Sequence, residues 1–280
     1  MPDGSGDEAA RTPGRVLIVA GSDSGGGAGI QADIKTVTAL GGFAATAVTA
    51  LTAQNSVGVQ AIHAVPEAFI ARQIRSVLED IGADVIKTGM LHSAAVVEAV
   101  ASALDIYGPG IPLVVDPVMV AQSGDRLLAD QAVGAVRERM LPRAALITPN
   151  VPEAEVLLEK QIPDTGAMAE AAIALLALGP AAVLLKGGHL AGDTVTDVLA
   201  TTHGVVRLTE ARVATQSTHG TGCTLASAVS AGLAQGLGLE HSVRRARAYL
   251  QRALETAPRL GKGHGPVNHG HTVSGFDPVE

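Results

Sequence analysis

Two kinds of hydrophobic pattern alternate along the chain. Short runs rich in β-branched residues predict strands, and longer Ala-rich runs with apolar positions three or four residues apart predict amphipathic helices. The predicted strands cover residues 15–20, 45–51, 59–64, 84–88, 113–115, 145–147, 182–186, 195–200 and 205–208. The predicted helices cover residues 29–40, 66–81, 93–107, 130–140, 153–158, 167–178, 224–234 and 240–257. Strands alternating with such helices imply right-handed crossovers, so we expect an α/β protein with a mostly parallel sheet covered on both faces.

Length and composition set the domain organisation. A chain of 280 residues can bury a full core, and its regular alternation favours one domain over residues 15–280. Residues 1–14 are rich in Gly and Pro and lack an apolar segment, which predicts a disordered arm rather than a signal peptide. The net charge of −7 offers no basic stripe for nucleic acid. One cysteine and no membrane-spanning run lead us to expect a soluble, cytoplasmic protein with no membrane partner.

The segment HGTGCT at residues 219–224 carries the strongest chemical signal. Gly220 and Gly222 allow a tight turn in which successive N–H groups converge, and a helix beginning here adds the positive end of its dipole. This arrangement predicts a site for a developing anion. The only cysteine, Cys223, lies within it, so we expect the helix start to lower its pKa. A cysteine considered alone is more often a small core residue.

A glycine-rich turn follows the first predicted strand, in the segment GSDSGGGAGIQAD from Gly21 to Asp33. Such turns often hold phosphate, but the spacing matches neither the Walker A motif nor the dinucleotide fingerprint. The glycines would instead bring a small ligand close to the backbone, with Asp33 reaching in from the helix. A solvent-exposed carboxylate in the first turn of a helix explains Asp33 equally well.

Two further strand ends offer contacts for a ring. The carboxamide of Gln54, in TAQNS, both donates and accepts, so it could bind a ring nitrogen beside an exocyclic amine. Met90, in KTGML, could form an adaptable apolar wall. For each residue considered alone, the ordinary alternative is stronger: a turn at Gln54 and a core position at Met90.

Polar residues at three later strand ends suggest metal and phosphate binding. Asp116, the segment from Thr148 to Glu155, and Lys186 place oxygen ligands and a cation where Mg²⁺ and polyphosphate are often held. His and Cys residues lack zinc-site spacing. A Cys223–His219 nucleophile remains an alternative, but it explains neither the carboxylates nor Lys186. The combination favours phosphoryl transfer.

From Val16 to His271 the motifs resemble the hydroxymethylpyrimidine and phosphomethylpyrimidine kinases of thiamine biosynthesis, within the ribokinase-like superfamily. The segments that carry the resemblance are GSDSGGGAGIQAD, TAQNS, KTGML, DPVM, ITPNVPEAEVL, LKGGH, THGTGCT and GKGHGPV. It implies a ribokinase-like three-layer α/β/α sandwich, use of ATP and Mg²⁺, and a homodimer. It also implies two successive phosphorylations that yield the pyrimidine diphosphate.

The resemblance assigns roles to particular residues. Those implied to hold the pyrimidine are Gly21, Asp33, Gln54, Met90 and Val118. Lys186, Asn150 and Thr218 are assigned to ATP, and Glu153 and Asp116 to Mg²⁺ through water, with Asn150 helping to organise that water. Gly220, Thr221, Gly222 and Cys223 are assigned to the anion hole and catalysis. Most ribokinase relatives carry Asp at the position of Cys223, which leaves its role as a base open.

Two alternatives remain at this stage. A pyridoxine or pyridoxal kinase would share the superfamily and phosphorylate a hydroxymethyl group on a different ring, and Gln54 argues against it. A non-catalytic metabolite-binding regulator on the same fold is the second alternative, and the intact set of Lys186, Asn150, Glu153 and Cys223 argues against it.

Overall fold

The computed structural model describes residues 13–119 and 130–275. Within these ranges the strands form one nine-stranded sheet in the order β3-β2-β1-β4-β5-β6-β7-β8-β9. The strands are β1 Arg15–Asp23, β2 Phe43–Asn55, β3 Gly58–Ala64, β4 Val85–Thr88, β5 Leu113–Val115, β6 Leu146–Ile147, β7 Ala182–Leu185, β8 Thr194–Thr201 and β9 Gly204–Ala211. Neighbours from β2 to β7 pair in parallel, whereas β3, β8 and β9 add antiparallel strands at the two edges. The predicted mostly parallel sheet is confirmed.

Helices cover both faces of the sheet. They are α1 Gly29–Ala39, α2 Glu67–Asp80, α3 Ala94–Tyr107, α4 Asp130–Ala135, α5 Val151–Leu158, α6 Met168–Leu176, α7 Thr221–Ala234 and α8 Leu239–Glu255. Leu17 and Val19 of β1 enter the core on the side of α2, α3, α5 and α6, while Val16 and Ile18 enter the core beneath α1 and α7. Alternate side chains of one central strand therefore serve two cores, which confirms the predicted three layers.

Several boundaries differ from the sequence prediction for local reasons. The helix predicted over residues 130–140 is α-helical only to Ala135 and continues as a wider π turn over Val136–Met140. A short 3-10 turn over Leu141–Arg143 follows, where Pro142 has no backbone N–H to continue a regular helix. Helix α5 begins two residues earlier than predicted because Asn150 and Glu153 form a capping box at its start.

The amino-terminal boundary is also shifted. Gly14, which was predicted to belong to the disordered arm, is buried, and its carbonyl accepts a hydrogen bond from the N–H of Phe43 at 2.9 Å. A Cβ at this position would lie 2.6 Å from the carbonyl carbon of Ala234, so the close packing requires glycine. The rest of the predicted arm, residues 1–12, lies outside the described residues.

In the part of the chain that the structure describes, no helix combines the length and the apolar character needed to cross a bilayer.

Candidate active site

A cavity of about 560 Å³ opens at the edge of the sheet where the parallel strands end. Ligands of open α/β sheets bind at this edge because loops there converge around a crevice. Twelve of the fourteen residues assigned from the sequence line it: Gly21, Gln54, Met90, Asp116, Val118, Asn150, Glu153, Lys186, Gly220, Thr221, Gly222 and Cys223. Asp33 and Thr218 are not among the lining residues.

The anion pocket is formed by the start of α7. Gly220 precedes the helix with φ 82°, and a Cβ at this position would lie 1.8 Å from the carbonyl oxygen of Gly27. Only glycine tolerates both the positive φ and this contact. The helix begins at Thr221, three residues earlier than predicted, so Cys223 lies inside its first turn. Backbone N–H groups in the first turn of a helix have no intrahelical partner, which suits them to bind an anion.

The ionisation of Cys223 differs from the sequence prediction. Burial raises the pKa of its thiol to about 12, although the nearby Lys87 cation and an N–H bond from Gly29 act in the opposite direction. The prediction of a lowered pKa is therefore wrong. The helix start contributes a favourable partial charge, but removal of the thiolate from water costs more.

Asp23 organises the glycine-rich turn and was not predicted as a site residue. Its carboxylate accepts hydrogen bonds from the N–H groups of Gly25, Gly27 and Ala28 at 2.8 to 3.0 Å. The Nε2 atom of His219 lies 2.8 Å from Oδ2 of the same carboxylate. Hydrogen bonds and the interaction with His219 hold the pKa of Asp23 below its usual value despite burial. An aspartate just ahead of several glycines is the sequence signal that could have revealed this turn.

This contact also decides the role of His219. The Nε2 atom faces Asp23 and lies 3.5 Å from the amide nitrogen of Gln54. The imidazole of His219 thus links the segment 219–224 to the glycine-rich turn through Asp23, and to the end of β2 through Gln54. A Cys–His nucleophile needs the imidazole on the sulfur. In the structure, Nε2 of His219 faces the carboxylate of Asp23 instead.

One part of the cavity lining, called the ring end below, is suited to a small ring. Gly21 makes room for Met90, because a Cβ at residue 21 would lie 2.7 Å from the terminal methyl carbon of Met90. Val118 adds aliphatic surface to the lining. The hydroxyl of Thr52 lies 3.1 Å from Oε1 of Gln54 and 2.9 Å from the carbonyl oxygen of Ser22, so it fixes the carboxamide beside this apolar surface.

A polar cluster forms another part of the cavity lining, called the phosphate end below. The Oδ1 atom of Asp116 accepts hydrogen bonds from the hydroxyl of Thr148 at 2.9 Å and from Nζ of Lys186 at 3.0 Å. A Cβ at Gly222 would lie 3.1 Å from the same Nζ, which places the Lys186 ammonium against the start of α7. The cation and the free N–H groups of the helix therefore face one region.

Asn150 and Glu153 complete the cluster at the start of α5. The side chain of Asn150 accepts the N–H of Glu153 at 2.9 Å, and the Glu153 carboxylate accepts the N–H of Asn150 at 2.7 Å. Burial, reinforced by the charge of Asp116, raises the pKa of Glu153 to about 7, and Lys186 acts against this shift. The capping box thus sets a carboxylate with an unusual proton affinity in the cavity wall.

The structure places two predicted site residues elsewhere. Asp33 is fully buried, and both of its oxygens lie 2.9 Å from Nζ of Lys87, so its carboxylate pairs with a protein cation instead of facing the cavity. Thr218 points its hydroxyl towards Nδ1 of His264 at 3.3 Å. Lys87 was not predicted, because its partner lies 54 residues away along the chain.

Comparison with known proteins agrees with this geometry. A family model described as phosphomethylpyrimidine kinase matches residues 23–268. The thiamine biosynthesis bifunctional protein ThiED of Geobacter sulfurreducens is 53% identical over 91% of this chain, which spans only 52% of that longer protein. The hydroxymethylpyrimidine/phosphomethylpyrimidine kinase of Streptomyces coelicolor is 50% identical, with 92% of this chain and 95% of that protein covered.

Solved structures show the same fold. A phosphomethylpyrimidine kinase from Clostridium difficile matches with a TM-score of 0.76 and 38% identity, covering 86% of this chain and 99% of that one. A pyridoxal kinase from Staphylococcus aureus, in complex with AMP-PCP and pyridoxal, matches with a TM-score of 0.84 and 31% identity over 92% and 94% of the two chains. These matches confirm the ribokinase-like fold. The chain therefore belongs to the phosphomethylpyrimidine kinase family.

Proposed function

We propose that this kinase uses ATP to phosphorylate 4-amino-5-hydroxymethyl-2-methylpyrimidine, and then its monophosphate, for thiamine biosynthesis. The observation that carries the proposal is the division of one cavity into two ends. The ring end is an apolar slot with one carboxamide, lined by Gly21, Gln54 and Met90. At the phosphate end, Lys186 lies against the start of α7, the helix that contains Cys223. The names of the similar proteins support the same reaction.

The ring end fits an aminopyrimidine. A carboxamide donates and accepts side by side, which matches a ring nitrogen beside an exocyclic amine. The thioether of Met90 and the side chain of Val118 supply flexible apolar contact for the ring faces, in a chain with only 2% aromatic residues.

The phosphate end fits the nucleotide. Lys186 provides a cation for the phosphate oxygens, and the free N–H groups in the first turn of α7 face the developing negative charge. The amide nitrogen of Asn150 makes no hydrogen bond to another described residue, so it is free to bind ATP. Phosphoryl transfer depends mainly on positioning and charge stabilisation, which is what these groups supply.

The carboxylates fit Mg²⁺. Oδ2 of Asp116 accepts no hydrogen bond from the described residues, and the Glu153 carboxylate lines the same wall. Mg²⁺ prefers oxygen ligands and keeps several waters, so Asp116 and Glu153 would hold it through water. When bound, the ion would neutralise charge on the phosphates of ATP.

Cys223 is the group we assign to the proton of the substrate hydroxyl. It lines the cavity next to Gly222, where a Cβ would lie 3.1 Å from Nζ of Lys186. Burial raises the pKa of its thiol to about 12, and only the thiolate form can accept the hydroxyl proton, so the fraction of molecules that carry the thiolate limits this step at neutral pH.

A pyridoxal kinase is the second candidate, and one observation favours it: the Staphylococcus aureus pyridoxal kinase has the higher TM-score of the two solved structures described above. Its sequence identity of 31% is well below the 50% shared with the Streptomyces coelicolor enzyme, so we place the pyrimidine first.

The deciding experiment is a coupled assay of ATP consumption with hydroxymethylpyrimidine, its monophosphate and pyridoxine under identical conditions. We expect kcat/KM to be highest for the two pyrimidines, with both phosphorylations observed. A preference for pyridoxine would replace the proposal by the second candidate, and no turnover of any of the three would favour a metabolite-binding regulator.

We also propose that the kinase acts as a homodimer in the cytoplasm. Strand β3 forms one edge of the sheet and is largely exposed, and Leu51 and Ile62 on the β2–β3 hairpin expose 48% and 43% of their surface. Apolar side chains on an open edge are a typical site of subunit contact. Sedimentation equilibrium of the wild type and of Ile62→Lys would test this, and a monomeric wild type would contradict it.

A further inference from the structure

The first turns of α1 and α7 meet in a regular pattern. Gly29 opens α1 and Cys223 lies in the first turn of α7, and the backbone of Gly29 acts to lower the pKa of the Cys223 thiol. One helical turn further, the Ser227 hydroxyl donates to Oδ1 of Asp33 at 2.7 Å. Asp33 follows Gly29 by four residues, and Ser227 follows Cys223 by four. Since residues four apart share one face of a helix, the two helices are joined along facing stripes.

The next turn continues the same contact. Val37 and Ala231, again four residues further along each helix, are fully buried in one apolar cluster. The stripe therefore contains a polar contact and an apolar contact, with Gly29 and Cys223 at its start. A shift of either helix along its axis would break both contacts together.

A buried cation anchors the polar contact to the sheet. Lys87 is fully buried in β4, and its Nζ lies 2.9 Å from both oxygens of Asp33. Burial would lower the pKa of Lys87, but the charges of Asp33, Cys223 and Asp116 together outweigh it and hold the pKa above the usual value. Burial raises the pKa of Asp33, and Lys87 acts against that shift. The Lys87 ammonium lies beneath the cavity floor, 3.2 Å from where a Cβ at Gly89 would stand.

Stability alone gives a weak reason for this pair. Moving two charges out of water is costly, and apolar residues of similar volume often stabilise a core equally well. Asp33 also contacts Ser227, which lies one helical turn beyond Cys223. Through this contact the ion pair can influence the sulfur during the reaction. None of the three residues lines the cavity, so they act through other groups.

We propose that Lys87, Asp33 and Ser227 form a positioning network for Cys223. The network fixes the first turn of α1 against the first turn of α7, keeps Gly29 and Cys223 in register, and holds a cation below the anion pocket. Its catalytic consequence rests on the proposed function, whereas its effect on the sulfur does not. The network supports the negative charge of the thiolate, which is the form of the sulfur that can accept the substrate proton.

The test uses the reactivity of Cys223, which is the only cysteine of the chain. Ser227→Ala removes the hydroxyl bond to Asp33 with little change in volume. Alkylation by iodoacetamide, at one alkaline pH and without ligands, should slow by about tenfold, the scale of one lost hydrogen bond to a charged group. Ser230→Ala is the matched control, because Ser230 is buried in the same helix and bonds only the carbonyl of Ala226 at 2.8 Å.

Kinetics separate positioning from general loosening. In Ser227→Ala, kcat for the pyrimidine should fall about tenfold while KM for ATP and pyrimidine stays within twofold. Ser230→Ala should match the wild type in both assays. Unchanged or faster alkylation in Ser227→Ala, or equal losses in the two serine variants, would overturn the proposal.

A second variant tests the cation. Asp33→Asn combined with Lys87→Met removes both charges together and avoids leaving one of them unpaired in the core. Its fold is checked by circular dichroism, and its alkylation should be slower than that of Ser227→Ala. A folded double variant that alkylates at the wild-type rate would overturn the role of Lys87. Because alkylation needs neither ATP nor pyrimidine, failure of the proposed function would show only in the kinetic assay.

Discussion

Nζ of Lys186 lies 3.0 Å from Oδ1 of Asp116, so a carboxylate holds this cation in place before any nucleotide is present. Burial disfavours the charged ammonium, but the charges of Asp116 and Glu153 keep the pKa of Lys186 above its usual value. Lys186 is therefore a cation at neutral pH. A cation held in advance costs no reorganisation during the reaction.

The first prediction concerns this cation. Lys186→Ala should lower kcat by about 10²- to 10³-fold, the loss typical of one preorganised charge contact. Steady-state kinetics with saturating ATP and pyrimidine measure it, with Lys160→Ala, an exposed lysine after α5, as the control. Equal activity of Lys186→Ala and the control would remove Lys186 from the phosphate site.

The second prediction concerns Glu153 and Mg²⁺. Glu153→Gln keeps an oxygen to accept the N–H of Asn150 but removes the negative charge. The Mg²⁺ concentration for half-maximal rate should rise by about tenfold or more, as is typical when a group in a metal's outer shell is lost. Glu155→Gln is the matched control, because Glu155 lies on the same helix and bonds the N–H of Ile162 at 2.7 Å. An unchanged Mg²⁺ dependence in Glu153→Gln would exclude Glu153 from the metal's surroundings.

The third prediction concerns the pH dependence that Cys223 imposes. Burial raises its pKa to about 12. As long as the pH is below that value, the thiolate fraction increases about tenfold with each unit by which the pH is raised. If the sulfur takes the substrate proton, kcat should increase with pH on the alkaline side of neutrality. Cys223→Ala should flatten the profile and lower kcat at neutral pH by about 10²- to 10⁴-fold. Parallel profiles for wild type and Cys223→Ala would show that another group titrates.

Sequence patterns predicted the strands well because burial on both faces demands continuous apolar runs. Val16 to Ala20 and Leu113 to Val115 are such runs, and the structure places both in the sheet. The start of α7 was predicted three residues late, since the helix begins behind Gly220 at φ 82°, a conformation fixed by its contact with Gly27. Residues distant in the chain determine that contact, and no local pattern contains it.

For the candidate site, as for the fold, the sequence indicated residues near strand ends but not the contacts between distant parts of the chain. Residues near predicted strand ends, such as Gln54 and Lys186, line one cavity because parallel strands end at one edge. The pairing of Asp23 with His219, 196 residues apart, has no signature in the sequence. The same holds for the partner of Asp33 and for the burial that raises the pKa of Cys223. Desolvation is a property of the folded protein.

The fourth prediction concerns stability in acid. Burial, with nearby positive groups adding to it, lowers the pKa of His269 to about 4, and its Nε2 lies 3.0 Å from the hydroxyl of Thr224. The unfolded chain therefore binds a proton at a higher pH than the folded protein does, so stability falls as pH falls from about 6.5 to about 4. This residue alone should cost about 2 kcal/mol between about pH 7 and about pH 5.

Urea unfolding at the two pH values measures that cost. His269→Gln retains an amide donor for Thr224 but does not titrate, so its loss of stability between the two pH values should be smaller by the predicted amount. His203→Gln, at an exposed position, is the control and should behave as the wild type does. An equal pH dependence for His269→Gln and wild type would contradict the assignment.

The last prediction is that Gln54 sets the choice of ring. Its carboxamide lies between the Thr52 hydroxyl at 3.1 Å and the His219 ring nitrogen at 3.5 Å, at the ring end of the cavity. Pyridoxine offers a phenolic oxygen and no amine, so it leaves part of this amide unpaired, at a cost of about 1–3 kcal/mol. Gln54→Met should lower kcat/KM for hydroxymethylpyrimidine by about one to two orders of magnitude and affect pyridoxine much less.

The matched control is Gln60→Met, an exposed glutamine on β3 whose amide nitrogen bonds the carbonyl of Gly58 at 2.8 Å. It makes the same chemical change away from the cavity, so any loss it shows measures damage to the hairpin alone. Competition between the two substrates in one reaction gives the ratio of their kcat/KM values directly. Equal losses for both rings in Gln54→Met would assign Gln54 to holding the β2–β3 turn. Ring choice would then rest with Met90 and Val118, because they supply the apolar surface of that end.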